Sequence, residues 1–167
     1  MRVAIIDRHP EIYQDSLRER FSGIEFKSFD PRQDCGSELD AWQPEAVFAV
    51  KRGADSADAF KAAIACPSVR WLHVGGVGYD HLGPWDGDRV VVTNSAGVLA
   101  PFHAETVVGA IFALNLNFAA YFAQKQQRVW QERGFTSLAG KSLLIVGLGR
   151  IGKCVAALAT KVGMKVG

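Results

Sequence analysis

Short β-branched runs alternate with longer polar or helical stretches, and this rhythm organises the first half of the chain. VAIID (3–7) predicts a buried strand, and the segment from about Glu11 to Phe21 a helix. IEFKSF (24–29) alternates, as a strand with one exposed face does. AVFAV (46–50), RWLHV (70–74) and RVVVT (89–93) predict further strands. SADAFKAAIA (56–65) predicts a helix with Ser56 as its N-cap. Near-continuous apolar strands alternating with helices imply a parallel sheet covered on both faces.

The second half follows another rhythm. Pro101, suited to a first helical turn, opens a long helix running to about Trp130. GFTSLAG (134–140) reads as a loop. LLIV (143–146), a glycine turn, the helical RIGKCVAALATKVG and the strand start MKV (164–166) form the opening of a second βαβ unit. The expected division is a complete small α/β domain over 1–95, a bridging helix region over 96–132 and an incomplete domain over 133–167. LLIV should be a central strand buried on both faces, yet the chain supplies few neighbours to cover it. The expectation is a fragment of a longer protein, the alternative a second copy covering residues 100–167.

Thr106 to Ala123 carries no charge over eighteen residues, about the length at which a membrane span becomes a candidate. Asn115 and Asn117 fall near its middle, where an amide in lipid needs a partner. A helix buried between layers or at a subunit contact is the better reading.

Composition narrows the classes. With 49% hydrophobic and 22% charged residues, the chain can bury a core. A formal net charge of +2 is too small to imply a nucleic-acid partner, the Lys and Arg are scattered, and none is expected. Cys35, Cys66 and Cys154 lack zinc-ligand spacing and read as free thiols in a reducing compartment, with no metal site. The start MRVAIIDRHP lacks the apolar run of a signal peptide. A cytoplasmic protein with no membrane partner is expected.

GLGRIGKC (147–154) carries two nucleotide-binding patterns at once. As G-x-G-x-x-G between an apolar strand and a helix, it has the context a dinucleotide fingerprint requires. Gly147 would permit the tight turn, Gly149 the approach of a diphosphate, and Gly152 close helix–strand packing. The diphosphate would meet a helix N-terminus, where free amides and the dipole favour an anion. As a P-loop, the stretch needs Ser or Thr after Gly-Lys to ligate Mg²⁺. Cys154 stands there instead, a soft thiol ill suited to a hard cation. The dinucleotide reading prevails.

LAGKSLLIVGLGRIGKCVAALATKVGMKV resembles the cofactor-domain entry of the D-isomer-specific 2-hydroxyacid dehydrogenases, with its L-x-G-K-T, G-L-G-x-I-G and G-M-x-V pattern. WLHVGGVGYDHL resembles the family's substrate-side G-x-G-x-D-x-[ILV] turn. VVVTNSAGVLAPFHAETVVGAIFALNL resembles its interdomain crossing, V-x-N-x-x-G followed by an Ala-Glu helix. The likeness covers about residues 69–167; the first 65 residues match only in α/β pattern.

The resemblance implies a flavodoxin-like parallel-sheet domain, a long bridging helix and the first βαβ of a Rossmann domain. It implies hydride transfer between NAD or NADP and a small 2-keto or 2-hydroxy acid; the long apolar helix from Pro101 adds the expectation of a homodimer. Carried over by motif, Gly76, Val77 and Gly78 would hold the substrate carboxylate through backbone amides. Arg52 and Gly53, after AVFAV, are candidates to line the same cleft. Gly147, Leu148, Gly149, Arg150, Ile151 and Gly152 would hold the cofactor, and His103, two residues before Glu105, would pass near the nicotinamide. The family's catalytic Arg, Glu and His lie beyond the fingerprint, and no histidine here matches them. His73 reads as a core residue and His81 as a turn residue. After Gly152 no Asp or Glu follows to bind the adenosine ribose. Whether the chain is an enzyme therefore stays open, the alternative being a non-catalytic interaction or regulatory protein on the same fold.

Overall fold

All five apolar runs of the first 95 residues become strands. In the computed structural model, which describes residues 1–51 and 57–167, they are β1 (Arg2–Ile6), β2 (Glu25–Phe29), β3 (Ala46–Ala49), β4 (Trp71–Val74) and β5 (Val91–Asn94). Every pairing is parallel, in the order β2-β1-β3-β4-β5. This is the flavodoxin-like doubly wound order. The chain divides into two compact units, Met1–Ser95 and Ala96–Gly167.

In the first unit, α2 (Cys35–Trp42) and α3 (Ala57–Ala65) cover one face of the sheet. Successive strand side chains point to opposite faces. Ala4, Ile6, Val47, Ala49, Leu72 and Val74 therefore join Leu39 and Phe60 in one buried cluster. Val3, Ile5, Phe26, Phe48 and Trp71 line a groove of about 610 Å³ on the opposite face, where α1 (Gln14–Arg20) contributes Leu17. The expected cover on both faces is thus partial among the described residues, and Trp71 stays exposed.

The helix expected from Glu11 to Phe21 is shorter. Pro10–Ile12 is a single 3₁₀ turn, and α1 starts only at Gln14. Between them Tyr13 turns inward, its hydroxyl donating to the Asp7 carboxylate at 2.8 Å and its ring meeting Phe48 edge-on. The run 35–42 was not expected to be helical. Asp34 starts α2 by accepting from the amides of Gly36 and Ser37, and the Ser37 hydroxyl donates to it at 2.8 Å. Those donors, the hydroxyl first, hold the Asp34 carboxyl below its usual range. Ser56, the expected cap of α3, lies outside the described residues. At the other end of α3, the Arg89 guanidinium donates to the Ile64 carbonyl of the last turn and, beyond the helix, to those of Cys66 and Val69.

The second unit contains a parallel pair, β6 (Ser142–Leu143) and β7 (Lys165–Val166), joined through α6 (Arg150–Lys161). α4 (Ala100–Asn115) packs along α6. Leu138, Ala159 and Met164 form the core, flanked by Ile111, Phe112 and Leu143.

Two expectations need correction here. The single helix over 101–130 is two helices, α4 and α5 (Phe118–Gln127), bent by 59°. Asn117 sits in the left-handed region at φ +56°, which Asn tolerates better than most residues. Asn115 ties the break to the following loop: its amide donates to the Thr136 carbonyl at 2.6 Å and its oxygen accepts from Lys141 Nζ at 2.5 Å. No single helix among the described residues is long and apolar enough to cross a membrane. Nor is the pair largely buried within one chain: Phe102, Leu114 and Phe122 are exposed. The strand expected over LLIV is regular only at Ser142–Leu143; beyond it the Ile145 amide still donates to the Gly167 carbonyl at 2.9 Å, while Leu144 and Val146 face solvent. β7 is its one neighbour among the described residues, which leaves the remainder without a second side to pair.

Candidate functional site

β4 ends at Val74, and the chain leaves the sheet as Gly75-Gly76-Val77-Gly78 at the edge where parallel sheets gather ligands. The end of β5 holds this loop. The Ser95 amide donates to the carbonyls of Val74 (3.2 Å) and Gly76 (2.9 Å), and Asn94 Nδ2 donates to that of Val77 (2.8 Å). Among the described residues, a Cβ on Gly76 would meet nothing within 4 Å, and one on Gly78 only Asp80 Oδ2 at 3.9 Å. Among the described residues, nothing crowds the loop on the Cβ side of Gly76. Arg52 and Gly53, expected to line the same site, lie outside the described residues.

Of the nearby histidines one is fully engaged, whereas the buried Nε2 of the other, His81, has no hydrogen-bond partner among the described residues. His73 is held at both nitrogens, by the Thr93 hydroxyl at 2.9 Å and the Ser95 hydroxyl at 3.1 Å, and its ring stacks on Phe48. His81 meets the Phe60 ring edge-on at 4.7 Å. Burial pushes its imidazole below the ordinary value; the Lys51 charge adds to that and the Asp80 charge opposes it. Sequence reasoning missed Asp7, only 1% exposed at the carboxyl end of β1. Its position at the close of an apolar run was the available signal.

In the second unit, Gly147 has φ +95°, which a side chain would resist. Gly149 is the N-cap of α6, with no side-chain cap and no acidic residue in the first turn. A Cβ on Gly149 would meet nothing within 4 Å among the described residues. A Cβ on Gly152 would strike the Gly147 carbonyl oxygen. The turn thus closes against its helix as a dinucleotide fingerprint requires, and its free amides suit a diphosphate. Leu148 and Ile151 are exposed. Arg150 donates to the Ala96 carbonyl, and a Cβ on Gly97 would lie 2.9 Å from Arg150 Nη1. His103 is exposed on α4, its amide bonded to the Leu99 carbonyl. Gly76, Val77 and Gly78 thus share one loop of the first unit, while His103 and Gly147–Gly152 belong to the second.

Residues 108–167 match a sequence model of the D-isomer specific 2-hydroxyacid dehydrogenase NAD binding domain. The chain is also 32% identical over 130 residues to D-3-phosphoglycerate dehydrogenase of Mycobacterium leprae (strain TN), covering 74% of this chain and 24% of that protein. Both indicate the D-isomer-specific 2-hydroxyacid dehydrogenase family. The fold agrees with solved dehydrogenases. One is the D-isomer specific 2-hydroxyacid dehydrogenase family protein of Aeromonas salmonicida, with TM-score 0.81 and 24% identity over 99% of this chain and 52% of that one. Another is the NAD-dependent formate dehydrogenase of Staphylococcus aureus in complex with NAD, with TM-score 0.63 and 19% identity over 99% and 55%. The chain therefore spans about a quarter of the phosphoglycerate dehydrogenase and just over half of these two structures.

Proposed function

We propose that this chain forms part of an NAD(P)-dependent oxidoreductase that interconverts 2-keto acids and D-2-hydroxy acids. The observation that carries the reading is the uncapped N-terminus of α6 behind the positive-φ Gly147, within the stretch that matches the family's NAD binding domain. The amides at Gly149–Gly152 would hold the diphosphate, with Leu148 and Ile151 beside it and His103 toward the nicotinamide. The Val77 and Gly78 amides would hold the acid's carboxylate. When bound, the nicotinamide supplies or accepts the hydride at C2. His73, hydrogen-bonded at both nitrogens, and His81, packed edge-on against Phe60, are not placed in proton transfer, and we assign the acid–base work to no residue of these 167. Free thiols at Cys35, Cys66 and Cys154 fit a reducing, cytoplasmic setting.

Two measurements test this. NADH at millimolar concentration should shift the amide resonances of Gly149–Gly152, with an affinity weaker than micromolar, because residues 153–167 offer no carboxylate to the ribose. The chain alone should not turn over glyoxylate, hydroxypyruvate or pyruvate with either nicotinamide. A turn that ignores NADH, or takes Mg-ATP in its place, would sink the cofactor reading. Turnover that disappears in Gly78→Trp would overturn the assignment of acid–base work. The exposed apolar side chains of α4 and α5 further support a homodimer through that surface. Sedimentation at micromolar concentration should show the dimer, and a clean monomer refutes it.

A further inference from the structure

We propose that Asn94 is a positioning residue for the anion site: its side-chain amide sets the direction in which the Gly78 amide points. The inference rests on the reading of Val77 and Gly78 as the carboxylate-binding amides, and it adds a residue with no place in that reading.

The argument is one of peptide geometry. Among the described residues no peptide is cis, and in a trans peptide the N–H points opposite to the carbonyl of the same plane. The Gly76 carbonyl shares a plane with the Val77 amide, and the Val77 carbonyl shares one with the Gly78 amide. The end of β5 draws both carbonyls to itself, through the Ser95 amide at 2.9 Å and Asn94 Nδ2 at 2.8 Å. The two amides must then face away from β5. Among the described residues neither has an intramolecular acceptor, and the space before Gly76 is open. Two consecutive outward amides make a concave donor pair suited to one carboxylate.

The two anchors differ in kind. The Ser95 anchor is a backbone amide and survives any side-chain change. The Asn94 anchor is a side chain, placed at the last position of β5 by the register of Val74 opposite Asn94. Without it the plane between Val77 and Gly78 can rotate, and the Gly78 amide loses its fixed direction. Asn94 therefore acts on the anion through Val77.

The test uses the ¹⁵N-labelled chain and pyruvate, followed through the Val77 and Gly78 amide resonances. The wild-type chain should shift both. Asn94→Ala should weaken binding by about tenfold or more, the loss expected for one charge-assisted hydrogen bond. Asn94→Asp keeps the size but presents an ionised acceptor to the Val77 carbonyl, and should weaken binding further at neutral pH. The new carboxyl regains a donor once protonated, so affinity should recover as pH falls from about 7 toward about 4.5, while pyruvate stays ionised. A residue that merely supports the fold would not produce that recovery. Unchanged amide exchange in β4 and β5 verifies folding. Wild-type binding with both variants unaffected, or with no recovery at low pH, refutes the role of Asn94 alone. A wild-type chain whose Val77 and Gly78 amides ignore pyruvate refutes the anion site and this inference with it, while NADH shifts at Gly149–Gly152 report separately on the cofactor turn.

Discussion

Gly152→Val is expected to speed amide exchange across α6 by about a hundredfold and to remove the NADH response of Gly149 and Arg150. A Cβ at position 152 would strike the Gly147 carbonyl oxygen and lie 3.3 Å from its carbon. Those atoms are backbone, held by a turn that is already at φ +95° and cannot swing aside as a side chain does. Forcing extra volume into such a contact costs about 1–3 kcal/mol, at the upper end where the neighbour cannot yield. About 3 kcal/mol corresponds to roughly a hundredfold in the opening equilibrium. Lys153→Ala, one residue along and exposed, should leave both readouts unchanged. A Gly152→Val chain with native exchange in 150–161 would show that the turn does not close against its helix.

Phe60→Ala should destabilise the first unit by about 3–5 kcal/mol, the usual cost of emptying a buried phenylalanine site. Phe60 is fully buried on α3 and belongs to the cluster that joins α2 and α3 to the sheet. Domains of this size are commonly stable by about 5–15 kcal/mol, so the loss takes much of the total. The same change exposes the His81 ring that Phe60 covers. Since burial is the main reason that its imidazole is held down, the His81 pKa should move up toward its ordinary value. Urea unfolding measures the first effect and a proton NMR titration the second. A loss below about 1 kcal/mol would mean that the site collapses around the gap.

The strands were legible because each is a short apolar run whose alternate residues enter one cluster, as Ala4 and Ile6 do from β1. The turn at Gly147–Gly152 was legible for a related reason: three glycines at fixed spacing leave few other conformations. What escaped notice depends on contacts distant in sequence. The break at Asn117 follows from partners that Asn115 finds at Thr136 and Lys141, and composition along the helix does not reveal them. α2 was overlooked although Cys35, Leu39 and Trp42 recur at helical spacing after the capping Asp34. The extent of the LLIV strand depends on pairing partners that its own letters do not specify. In the site, the glycines of the loop after β4 stood out, whereas Asn94, present in the crossing motif, gains a role only once β5 is seen to lie beside β4.

The three thiols differ sharply in what can reach them. Cys35 is 3% exposed, and burial, with Glu38, Asp30 and Asp34 adding to it, pushes its thiol up to about 11. Cys66 is 2% exposed, beside the Ser68 hydroxyl. Cys154 alone is partly open, two residues beyond Gly152 on α6. A thiol-directed dye added to the folded chain should therefore label a single position beside the glycine turn. The natural sequence supplies an attachment point for a fluorescent reporter there, with no cysteine to be added or removed.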